Sequence, residues 1–134
     1  MGNSYLQFHI ELLKQTHNQL LTYPPFKDAE NPDDEAFLDA LVAVITLTEN
    51  QEADYLSHGQ DLLTQWIRRY PDTAPLIPRD LFWFYGGDCL HFMPDEEINL
   101  FQQLDEARWE AEQTNEPYDY APMRARILGL TALH

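Results

Sequence analysis

One short run of the chain gathers residue types that do chemistry. Asp88, Cys89 and His91 fall in GGDCLH, with Asp95 and Glu96 a few positions on. Thiolate, imidazole and carboxylate are all metal ligands, and a thiol beside an imidazole can become a nucleophile. The spacing specifies neither chemistry. Structural zinc sites usually use two ligand pairs of the CxxC or HxxxH kind, and neither pattern occurs here. Cys89 and His91 would share a side on an extended segment and diverge on a helix. The plainer reading is that Asp88 and His91 hydrogen-bond the loop while Cys89 packs as a small apolar group. Asp88, Cys89 and His91 are thus the candidate pocket or metal residues. No catalytic residue is assigned and no cofactor is implied.

Two further constellations are weaker. Asp54, His58 and Asp61 have the spacing of one helix face. Di-iron bundles, however, carry paired Glu-x-x-His motifs, and the chain has none. A solvated face is the simpler expectation. Gly86 and Gly87 do not form a phosphate loop, because no GxGxxG or GKT/GKS run is present and Asp88 follows directly.

The elements that must position these residues read as helices. Residues 3 to 22 carry Tyr5, Phe8, His9, Leu12, Leu13, Thr16 and Leu20 at helical spacing, up to Pro24 and Pro25. His9 on this stripe is expected to be a buried, hydrogen-bonded core residue. Asn31-Pro32 followed by Asp33, Asp34 and Glu35 is a helix start. The apolar run after it suggests a central helix. Its VAVITLT stretch has strand character, but no second strand is present to pair with it. A third helix is expected over roughly 51 to 70, with Gly59 at a possible close crossing. A short one covers PRDLFWFY and ends at Gly86 or Gly87. A long one begins at MPDEE, and a last one spans roughly 119 to 131 behind Asp119. The expected fold is all-α: a single domain over 1–134, built as a compact bundle of five to six helices.

Charge narrows the function classes. Twenty-three acids face eight bases, for a formal net of −15. Direct binding to nucleic acid or to an anionic membrane surface is therefore disfavoured. The interval from Asp28 to Asp61 holds acids and no Lys or Arg, while after Asp119 the only charged side chains are Arg124 and Arg126. Those arginines could be satisfied within the fold or across a dimer. The acid-only segment also admits an acidic mimic of nucleic acid that binds a basic partner, although a plain acidic surface is far commoner. One cysteine excludes an internal disulfide and suits a reducing compartment. No signal peptide or membrane span is expected. MGNSYL lacks the Ser or Thr that a myristoylation site needs at position 6.

Phe82, Trp83, Phe84 and Tyr85 cannot share one helix face, because successive residues turn by about 100°. Trp109 stands among charges at the edge of the long helix's apolar stripe. Trp83, Phe84, Tyr85 and Trp109 are thus the interface candidates.

The runs GQDLL, YPDTAPLIPRDL, RDLFWFYGGDCLHFMPDEEI and FQQLDEARWEAE resemble a family of small acidic bacterial proteins without known activity, best over residues 60 to 113. That resemblance implies a bacterial cytoplasmic setting and no chemistry. Taken together, a non-enzymatic protein that self-associates as a homodimer, or binds a protein partner, is the leading expectation. A metal or small-molecule site at the Gly86–His91 turn is the alternative, and acidic mimicry a further one.

Overall fold

A computed structural model describes residues 4–129. They form six α-helices and two 3-10 segments, with no strand among them. The helices are α1 (Ser4–Leu20), α2 (Pro32–Glu49), α3 (Tyr55–Arg69), α4 (Arg79–Tyr85), α5 (Asp95–Gln113) and α6 (Tyr120–Ile127). The 3-10 segments, Ala74–Leu76 and Gly87–Phe92, bracket α4. The all-α class stands, and the two 3-10 segments add to the expected five to six helices. One of them lies within DTAPLIP, between α3 and α4. The other takes up the DCLH segment that could have been extended.

Local chemistry explains where the helices start and stop. At α2, Asn31 Oδ1 accepts the Asp33 backbone N–H at 2.8 Å, and Pro32 and three acids occupy the first turn. α3 starts later than expected because Gln51 and Asp54 are left-handed, at φ 47° and 64°. Asp54 therefore stands before the helix rather than on a face shared with His58 and Asp61, and all three are exposed. At the end of α4, Gly86 adopts φ 68°, and its N–H bonds back to the Phe82 carbonyl at 3.0 Å. The expected end of the last helix, 130–131, lies outside the described residues.

The central helix is α1, not α2. α1 packs against α2, α4, α6 and the first 3-10 segment. It buries Leu6, His9, Ile10, Leu13, Thr16 and Leu20. α2 buries one face through Phe37, Leu41, Val44, Ile45 and Thr48, while Val42 stays 45% exposed. An apolar run along a helix does not by itself bury every side. Here α2 packs mainly against α1 and α3, with Thr48 reaching Tyr85 of α4. Trp66 of α3 is fully buried in the core, its Nε1–H donating to Thr73 Oγ1 at 3.0 Å.

Candidate functional site

Three places could carry function: the glycine corner, the aromatic cage around His9, and the outer face of α5.

The corner is held by short-range contacts. Gly59 lets α3 approach α4 so closely that an added Cβ would stand 2.2 Å from Tyr85 Cδ1. Tyr85 turns inward, with its hydroxyl 2.8 Å from Thr48 Oγ1. Gln60 Nε2 donates to the Tyr85 carbonyl at 2.8 Å, and its amide fills the space a Cβ on Gly87 would need. Cys89 is fully buried, and its thiol approaches the Gln60 carbonyl at 3.8 Å. Burial pushes that thiol up, away from the thiolate that nucleophilic or ligating chemistry requires. Asp88 and His91, by contrast, are exposed on the outside of the turn. The structure thus places Cys89 in the core and its two neighbours in solvent. No cluster of three or more His, Cys, Asp or Glu that could hold a metal occurs among the described residues. Arg79 closes the far side, donating from Nη2 to the Phe92 carbonyl at 2.7 Å and from Nε to Glu97 Oε1 at 2.9 Å.

His9 sits where its stripe predicts, 1% exposed. Its Nδ1 lies 2.7 Å from the Tyr5 carbonyl, so Nδ1 carries the proton and donates. The ring stacks on Phe84 at 4.5 Å and 13°, with Tyr5, Phe8 and Tyr120 around it. Burial lowers the His9 pKa to about 4, against the weaker raising effects of the Tyr5 carbonyl and Asp80. The neutral ring is therefore the folded form. At the rim, Arg124 of α6 clasps the buried Asp80 of α4 with two hydrogen bonds, Nη2 to Oδ1 at 2.8 Å and Nε to Oδ2. Arg108 lies over the Tyr5 ring, with Cζ 3.8 Å from its centroid. The His9 cage and the Asp80–Arg124 pair were not foreseen as one unit. The sequence signal was the histidine on an apolar stripe.

The His9 arrangement predicts acid sensitivity. The unfolded chain protonates His9 near pH 6.5, whereas the folded protein resists until about 4. Between those values the unfolded state binds more protons, so stability falls as pH drops through that window. Its contribution, about 3 kcal/mol, is complete above pH 6.5 and gone below about 4. Urea melts of His9→Phe between pH 7 and 4 are expected to show a shallower decline than the parent. Parallel declines would show that His9 is not the group responsible.

The interface candidates separate in the structure. Phe84 and Tyr85 are 8% and 2% exposed and belong to the core, so they are not available to a partner. Trp83 is half-buried, stacked on Phe101 and donating from Nε1 to Asp105 Oδ2 at 3.1 Å. Trp109 is 61% exposed, the most exposed large apolar side chain among the described residues. The reason is angular. α5 buries Phe101 and Leu104. Trp109 follows Leu104 by five residues and Phe101 by eight, which turns it about 140° from the first and about 80° from the second. Ile98 of the same helix is partly buried against the core.

Depressions lie on both sides of Trp109. One, of about 360 Å³, is bordered by Asp105, Glu106, Arg108 and Glu112. The other, of about 840 Å³, runs between α5 and α6 past Glu110, Pro117, Tyr118, Pro122, Met123 and Arg126. In the first, Asp105 Oδ1 and Arg108 Nε are buried without a hydrogen-bond partner among the described residues. Arg108 Nη2 lies 3.6 Å from that same carboxylate oxygen. Arg124 is satisfied inside the fold, whereas Arg126 is exposed and makes no ion pair among the described residues.

The class defined by the described residues is a small acidic all-α protein with a tryptophan presented on its outside. No described helix is long and apolar enough to cross a membrane. The chain belongs to the PA2817-like family, whose model matches residues 1–133. No curated protein and no solved structure matches it.

Proposed function

We propose that the protein works by association rather than catalysis, as a homodimer formed through the outer face of α5. The observation that carries this reading is Trp109, an indole 61% exposed between two depressions on the same face. Leaving so large an apolar ring in water forgoes the burial that aromatic side chains usually find, and tryptophan is enriched at the centres of interfaces. A two-fold dimer needs a patch that complements itself. This face offers both a projection and a hollow. The polar groups of the glycine corner point into the fold or into open solvent, which favours association over a metal or small-molecule site there. The acid-only stretch from Asp28 to Asp61 supplies charge but lines neither of these depressions, so acidic mimicry has less to support it. A reducing bacterial cytoplasm suits a single buried thiol and the family resemblance.

The expected result is a dimer of the full chain by sedimentation at micromolar concentration, and a monomer for Trp109→Ala. Because Trp109 is outside the core, the variant should melt as the parent monomer does. A monomeric parent, or a Trp109→Ala variant that dimerises unchanged, would refute the reading.

A further inference from the structure

We infer that the dimer's register is set by Trp109 of one copy seating in the α5–α6 groove of the other, with Glu110 meeting the partner copy's Arg126. This rests on the homodimer reading and adds the pairing that specifies it. The occupant is a second copy of this chain.

Three observations point to this pairing. First, Trp109 forms one wall of the 840 Å³ groove and is also exposed, so projection and hollow adjoin. A two-fold axis beside Trp109 brings each indole over the other copy's groove, as an isologous contact requires. Second, the groove floor is suited to an indole. Pro117, Tyr118, Pro122 and Met123 supply apolar surface, and methionine adapts to aromatic rings. Third, the charges complement. Among the described residues Arg126 is the one base lining the groove, beside the acids Glu110, Glu116 and Asp119, and it has no ion-pair partner there. Glu110 lines the groove too and directly follows Trp109 in sequence, so it travels with the indole into the other copy. In a chain of net charge −15, an arginine without an ion pair is a scarce attractive point for another such chain. Two such pairs form by symmetry, one on each side of the axis.

Charge exchange tests this pairing, with circular dichroism and thermal melts confirming that each variant folds. Arg126→Glu places two acids opposite each other twice, and Glu110→Arg does the same with bases. Each is expected to weaken dimerisation about tenfold or more by sedimentation equilibrium, since like charges across an interface are costly. Mixing the two single variants pairs Glu with Arg at both places, so a heterodimer should form at parent strength. The chain carrying both substitutions should also recover, at unchanged net charge. Recovery in the mixture cannot come from a contact within one chain. If the parent is a dimer and both single variants dimerise as it does, this register is wrong while the Trp109 reading stands. If the single variants weaken but neither mixture nor double exchange recovers, the pairing is likewise wrong. A monomeric parent removes both.

Discussion

Arg124→Met is expected to lower folding stability by about 3–5 kcal/mol, a large part of what a domain of this size has. The loss comes mainly from what is left behind. Asp80 is 3% exposed and sits on α4 against α1, with both carboxylate oxygens held by the Arg124 guanidinium. Methionine roughly keeps the volume but leaves a buried carboxylate without its counter-charge, and that desolvation has nothing to offset it. The pair also ties α6 to α4 across 44 positions, with Phe8 of α1 beside the guanidinium. A second substitution separates the two contributions. Asp80→Leu with Arg124→Met removes the stranded charge and is expected to recover most of the loss, because a buried ion pair and an apolar pair of similar size are often near equal. Urea unfolding of the parent, the single and the double variants measures this. A single-variant loss below about 1 kcal/mol would show that the pair is an ordinary surface bridge.

The second large effect is expected at Gly59. On helix propensity alone, Gly59→Ala should stabilise α3 by up to about 1 kcal/mol. The packing predicts the opposite sign, a loss of about 3 kcal/mol at the upper end of the range for overpacked cores. The added Cβ would stand 2.2 Å from Cδ1 and Cε1 of Tyr85. That ring cannot easily yield. Its hydroxyl is engaged with Thr48, its backbone carbonyl with Gln60, and its ring makes a T-shaped contact with Phe84. Either α3 lifts from α4 or the ring is expelled, and both open the core beside Cys89. Tyr85→Leu in the Gly59→Ala background removes the obstructing ring and should cancel most of the penalty, a coupling that two independent sites would not show. A neutral or stabilised Gly59→Ala protein in thermal melts would mean that the helices can part without cost.

These two effects differ in how far they can be read from the chain. Gly59 stood out in the sequence as a glycine inside a helical stripe, which suggests a close crossing without naming what crosses. The ring it admits, Tyr85, is 26 positions away, and its place in FWFY marks it in the sequence as an interface candidate. For Arg124 the sequence posed the alternatives, a partner within the fold or across a dimer. It could not choose Asp80, one of twenty-three acids. The corner at Gly86–His91 was legible as a helix stop followed by a helix start. Its tight 3-10 course was not, because that depends on Gln60 and Arg79 bonding into it from outside the segment.

What the sequence determined by itself is therefore whatever depends on neighbours along the chain: the all-α class, the start of α2 at Asn31-Pro32, the end of α4 at Gly86 and the acidic surface. Caps, prolines and left-handed glycines act over a few residues, and their free energies are set before any packing occurs. Tertiary structure decided the rest. It made α1 the central helix, buried Phe84 and Tyr85, and left Trp109 outside. Helical periodicity fixes the angle between side chains on one helix, but not which of those angles will face a neighbour. That choice is made when several helices bury their stripes together, so residues of one chemical kind can end on opposite sides of the surface.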